Sequence, residues 1–190
     1  MNMLKEKDSK WSINEVAIFN ISSIKLDLSS FGSEWDLDLS RQQSFDTHKD
    51  TKMYRMRFSS YRWLIGDSIQ CKDVNVLPTH ESNKQLLDIY NKIEKIYDGK
   101  VVRAEFIKMP GNTKIPRHVD GGESLYIIRR LHIPIITNEK VIFKVFNNEM
   151  NLKEGICYEI NNAMPHSVEN NSADSRIHLI IDILPNKYNI

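Results

Sequence analysis

The second half of the chain is divided into short apolar stretches at residues 101–109, 125–136, 140–146, 156–160 and 176–184. Between them lie the turn signals Pro110-Gly111-Asn112, Gly121-Gly122, Thr137-Asn138, Lys153-Glu154-Gly155 and Asn161-Asn162. Each stretch reads as a strand, and strands at this density imply a barrel or a sandwich. Alternation then sorts the side chains. In 176–184, Ile177, Leu179, Ile181 and Ile183 form one face, which puts Arg176, His178, Ile180 and Asp182 on the other. In 125–136, Arg130 and His132 share a face while Leu131 and Ile133 take the opposite one.

The first half is less regular. Residues 16–21 read as a short strand, with Ser22-Ser23 turning the chain into a segment that contains Leu26. Residues 32–52 are polar and turn-rich and carry Arg41, Gln42, Gln43, His48 and Asp50, a length of irregular chain that more often serves function than spacing. Two short strands, 53–58 and 61–65, are split by Ser59-Ser60. Residues 82–98 predict the one clear helix, because Leu86, Ile89, Tyr90, Ile93, Ile96 and Tyr97 recur on one face and Gly99 fits the stop. The expected class is α+β, mainly β, in a single domain over residues 1–190.

His118-Val119-Asp120 gives this strand framework a chemical purpose. On a strand, residues i and i+2 project to the same side about 7 Å apart, so one metal could take both side chains. His166, in Pro165-His166-Ser167-Val168, stands where the chain re-enters the sheet after the 156–160 strand and supplies a third ligand. Three ligands on one side of a metal leave the opposite positions open, as a catalytic site requires. Arg176, with Arg130 and His132, adds a receptor for a dianion, since a guanidinium fork binds a carboxylate through two parallel hydrogen bonds. A small dicarboxylate would satisfy both ends.

These residues also carry a family resemblance. His118-Val-Asp120, Arg130-Leu-His132, Pro-His166-Ser-Val and Arg176-Ile-His-Leu-Ile-Ile-Asp resemble the aspartyl/asparaginyl β-hydroxylase group of the iron(II)- and 2-oxoglutarate-dependent oxygenases, together with the bacterial proline cis-hydroxylases. The resemblance covers roughly residues 101–185. It implies a double-stranded β-helix, a jelly roll of the cupin type, with helices packed outside. It implies that His118, Asp120 and His166 ligate Fe(II), that Arg176 holds the distal carboxylate of 2-oxoglutarate, and that Arg130 and His132 lie near the carboxylate that chelates the metal. The reaction implied uses O2, releases succinate from 2-oxoglutarate and hydroxylates an unactivated C–H bond. Vertebrate aspartyl hydroxylases lack the carboxylate ligand; Asp120 is present here, as in the bacterial small-substrate members. Residues 101–185 would then be the metal- and cosubstrate-binding β core, and residues 1–100 an N-terminal α/β part facing the substrate.

The substrate expected is an amino acid, free or as an aspartyl, asparaginyl or prolyl residue of a peptide or protein. Arg41, His48, Arg55 and Arg57 are candidate contacts to it, and Gly121-Gly122-Glu123-Ser124 a candidate rim. Plainer readings stand beside these. His118 and Asp120 could be a solvated loop pair, Arg176 could pair with Asp174 or Glu169, and His178 and Asp182 could satisfy each other. A cupin-like metal protein that does not use 2-oxoglutarate, an isomerase or a binding module, is the alternative, and it would have no need of Arg176. The runs Tyr54-Arg55-Met56-Arg57-Phe58 and Tyr61-Arg62-Trp63 interleave rings and cations in the manner of single-strand binders. A net charge of +1 gives no global field for nucleic acid or an anionic membrane, so neither partner is expected. Cys71 and Cys157 form no metal or disulfide framework, and residues 1–10 are charged rather than apolar, which points to a reducing, cytoplasmic setting.

Overall fold

The computed structural model describes residues 12–44, 46–65, 68–76, 83–120 and 127–188, with the backbone alone over 59–65 and 68–76. The chain begins with β1 (Ile13–Ile18) and α1 (Ser22–Ser29). The serine pair expected to turn the chain therefore opens a helix, and the first strand sits earlier than the apolar run implied. The polar stretch that follows is not irregular throughout: 3-10 turns at Ser33–Asp36 and Asp46–His48 flank the short helix α2 (Ser40–Ser44).

β2 (Lys52–Ile65) is one continuous strand paired with β3 (Ser68–Val76), and Ser59-Ser60 marks a register shift rather than a break. α3 (Lys84–Tyr97) starts on Asn83, whose side chain accepts a hydrogen bond from the Leu86 amide. Its left-handed cap is Asp98 (φ 43°), not the glycine after it. Gly99 instead opens the next strand, where a Cβ would lie 2.6 Å from the Leu184 carbonyl oxygen, so its small size serves strand packing.

The remaining strands are β4 (Gly99–Met109), β5 (Thr113–His118), β6 (Arg129–Ile136), β7 (Val141–Val145), β8 (Asn148–Met150), β9 (Ile156–Ile160), β10 (His166–Asn170) and β11 (Arg176–Pro185). They divide between two antiparallel sheets, β9-β6-β11-β4 and β5-β10-β7-β8; β1 extends the first beyond β9, and β2-β3 extend it beyond β4. From β4 onward, successive strands cross from one sheet to the other except at β7-β8. This is the double-stranded β-helix of the jelly-roll, cupin-like class. The sixth strand begins at Arg129, several residues later than its apolar run; residues 121–126, including the candidate glycine rim, lie outside the described residues.

Two apolar layers result. Leu131, Ile133, Ile177, Leu179, Ile181 and Ile183 form one cluster with Leu86, Ile89, Tyr90 and Ile93 of α3 and Ile24 and Leu28 of α1. Met109, Tyr158 and Ile160 of the large sheet meet Ile115, Phe143, Val145 and Val168 of the small one. Every residue of β11 is buried, because both of its faces are covered. The polar half of its alternation is therefore turned inward. Among the described residues no helix is long and apolar enough to cross a membrane.

Candidate metal centre

β5 ends on His118 and β10 begins on His166, and the two are register partners. Cβ atoms of directly opposed residues lie about 4.5–5.5 Å apart, close enough to share one ion. The rings are 4.3 Å apart between centroids. His118 Nδ1 donates to the Pro116 carbonyl oxygen at 2.8 Å, and His166 Nδ1 to that of Met164 at 2.9 Å. Because a carbonyl only accepts, both rings carry hydrogen on Nδ1, which leaves Nε2 as the atom nearer Asp120.

Asp120 lies beyond the end of β5, so strand alternation does not position it, contrary to the expectation for a His-x-Asp strand. Its amide donates to the Asn162 carbonyl oxygen at 3.3 Å, and its carboxylate is held by Arg130. Oδ1 stands 3.6 Å from His118 Nε2 and 3.7 Å from His166 Nε2. The ligand atoms of all three residues fall within 4.8 Å of one another. Burial works against the Asp120 charge, but Arg130 and the two histidines outweigh it and hold the carboxyl well below its usual range. Burial likewise pulls the His166 imidazole down, so it is a neutral donor near pH 7.

Arg130 does more than face the site. Its Nε and Nη2 donate to the two oxygens of Asp182 at 2.9 Å each, and Nη1 donates to Asp120 Oδ2. Arg103 Nη1 is also 3.2 Å from Asp182. Asp182 thus belongs to two arginines and not to His178, and Arg130 fixes the outer oxygen of a candidate ligand rather than presenting a free fork. Such partners orient a ligating carboxylate and set its basicity.

Arg176 is only 1% exposed and lines the same cavity as the triad. Its Nε and Nη1 have no hydrogen-bond partner. Burial, with Arg41 nearby, pulls its guanidinium down to about 9. Glu169, a candidate partner by sequence, binds Lys114 at 2.8 Å instead. His132 lines the cavity too, with Nδ1 unpartnered and its ring edge-on to Phe143 and His178. Burial and Arg176 keep it neutral. The structure therefore gathers a three-ligand cluster and an unsatisfied buried cation in one cavity between the sheets.

The N-terminal candidates divide. Arg41 and His48 reach the cavity, with the His48 ring 5.3 Å from that of His118 and burial pulling its imidazole down to about 3. Arg55 is occupied by Glu105 and Asp38, each at 3.0 Å, and lies over the Phe58 ring. Arg57 is turned to the other side of the sheet, over the Tyr90 ring of α3 and 3.9 Å from Glu94. A bulge between Arg55 and Arg57 causes this, since it breaks the alternation that would have kept the two arginines on one face. Glu105, bonded to Arg55 and 3.9 Å from Arg41, is a buried acid beside the site that sequence reading passed over. A lone acid within the apolar run of β4 was the available signal.

The sequence model of the aspartyl/asparaginyl β-hydroxylase family matches residues 38–185, a span that holds the triad, Arg130, His132 and Arg176. The chain belongs to this family. No curated protein sequence matches it. Among solved structures, this hydroxylase-family chain is similar to an oxidoreductase of the 2OG-Fe(II) oxygenase family from Burkholderia pseudomallei, with 13% identity and a TM-score of 0.53 over 70% of this chain and 67% of the other. It is also similar to the viral collagen prolyl hydroxylase of Paramecium bursaria Chlorella virus-1, solved as a 2OG complex, with 8% identity and a TM-score of 0.55 over 93% and 97% of the two chains. At these identities the likeness is one of fold.

Proposed function

We propose that this family member is an iron(II)- and 2-oxoglutarate-dependent dioxygenase that hydroxylates an amino acid, free or as an aspartyl, asparaginyl or prolyl residue of a polypeptide. The observation that carries the reading is Arg176, a buried guanidinium with unpartnered Nε and Nη1 in the cavity that also holds the triad. A buried cation of this kind is costly until an anion meets it. A cupin-like protein that only holds a metal has no use for it.

The residues present fit the cofactors. His118, Asp120 and His166 would hold the iron, a two-histidine, one-carboxylate set that leaves positions for cosubstrate and O2. Arg176 would take the distal carboxylate of 2-oxoglutarate, with His132 close to the opposite end. When bound, iron, 2-oxoglutarate and O2 supply the oxidising power to break an unactivated C–H bond, with succinate and CO2 as the cosubstrate's products. The protein's own part is placement: Arg130 and Asp182 fix Asp120, the two backbone carbonyls fix the histidine rings, and Phe143 and Ile180 add apolar lining to the cavity. Succinate formation from 2-oxoglutarate in the iron-loaded protein tests the proposal. The expected result is turnover that disappears in His166→Ala; turnover that survives the substitution, or wild-type protein that binds no 2-oxoglutarate, overturns it.

A further inference from the structure

Around the inner face of the large sheet lies a set of buried and half-buried charges whose pairing does not close. Asp182 is taken by Arg130 and Arg103, and Asp120 by Arg130. Glu105 and Asp38 are both taken by Arg55. Among the described residues of this group, two guanidiniums are left without a hydrogen-bonded carboxylate. One is Arg176. The other is Arg41, whose nearest carboxylate oxygen, on Glu105, is 3.9 Å from Nη1. Arg41 Nε is buried with no partner, and Nη2 rests against the two ring nitrogens of His48 at 3.3 and 3.4 Å.

Depth separates the two. The Arg41 side chain keeps 19% of its surface, while Arg176 keeps 1%. Arg41 is therefore the more accessible of the two guanidiniums lining the cavity, and His48 links Arg41 to the edge of His118. If Arg176 takes the cosubstrate's distal carboxylate, the two charges of iron balance the two of 2-oxoglutarate. Arg41, Arg55, Arg103, Arg130 and Arg176 then stand against Asp38, Glu105, Asp120 and Asp182. Among these described side chains one positive charge remains, and Arg41 is the more exposed of the two unpaired guanidiniums.

We propose that the substrate presents a carboxylate to Arg41, so that the site accepts free amino acids or acidic side chains and rejects neutral asparaginyl and prolyl residues within a polypeptide. The inference rests on the dioxygenase reading for its chemistry, but the binding it describes can be measured separately. Nε and one Nη of Arg41 would receive the two oxygens in parallel, the arrangement that makes arginine selective for planar anions.

The test is a calorimetric titration of the protein loaded with Zn(II) and 2-oxoglutarate, with each of the common L-amino acids as the free acid and as its carboxamide, beside N-acetyl-L-prolinamide and N-acetyl-L-asparaginamide. At least one acid should bind about 30-fold or more tightly than its amide, the loss expected for a buried charge pair with one partner removed. Arg41→Gln should erase that preference while leaving 2-oxoglutarate affinity within about twofold, and Arg41→Lys should restore part of it. Blocked amides binding as well as the acids, no acid preferred to its amide, or a preference that persists in Arg41→Gln would each overturn the inference. Failure of the wild-type protein to bind 2-oxoglutarate would instead remove the dioxygenase reading, and the acid-to-amide comparison on the Zn(II) protein would still report on Arg41.

Discussion

Replacing Arg176 with methionine should move stability and ligand binding in opposite directions. In the free protein the guanidinium sits in surroundings that pull it from 12.5 to about 9, which corresponds to roughly 5 kcal/mol of unfavourable environment for the charge. Methionine fills similar space without charge, though it packs differently and leaves His132 and His178 unpartnered, so we expect about 2 kcal/mol of net stabilisation. For a chain of this size that is about 4–8 °C in Tm. The same substitution removes one side of a buried, hydrogen-bonded charge pair to 2-oxoglutarate, at about 3–5 kcal/mol, or roughly 100- to 5,000-fold in affinity. Thermal melts of the metal-free protein and titration of the metal-loaded protein with 2-oxoglutarate measure the two effects. A variant that melts below wild type and binds 2-oxoglutarate within threefold of it would refute the reasoning, because Arg176 would then be a structural cation.

Arg130→Lys keeps the charge but cannot span Asp120 and Asp182 together, so affinity for Co(II) should fall about 10- to 100-fold, as absorption titration would show. Gly111→Ala should destabilise the fold by about 1–3 kcal/mol, because the new Cβ would lie 2.2 Å from the Ala173 carbonyl oxygen; an unchanged melt would contradict this. Burial, aided by Glu159, pushes the Cys157 thiol from 9.0 up to about 12. The unfolded thiol loses its proton first, so this contribution to stability is complete below about pH 9 and is lost as pH rises towards 12. Alkaline melts of Cys157→Ala should fall less steeply with pH than those of wild type; identical slopes would count against the assignment.

How far the sequence reaches depends on where a residue's position is decided. α3 and the core strands were legible because their apolar periodicity is the physical cause of their burial. β8 was not, since Asn148–Met150 is wholly exposed, and of β10 only the re-entry of the chain at His166 was, because its extent through Asn170 is set by pairing with β5 and β7. The residues of the candidate metal cluster could be named from spacing. Their geometry could not, because Asp120 is placed by Arg130 and Asn162, which lie 10 and 42 residues further along the chain. Arg57 shows the sharpest limit: a single bulge reverses its side, and nothing in Tyr54-Arg55-Met56-Arg57 announces it.

The pairing of His118 with His166 across β5 and β10 bears on how the chain finds its fold. A slip of one residue between these strands would send the two imidazoles to opposite faces of the sheet. No single ion could then bridge them. A metal present during folding would therefore reward one alignment of the small sheet and ignore its neighbours, acting as a proofreader of strand register in a topology whose long-range pairings are slow to form.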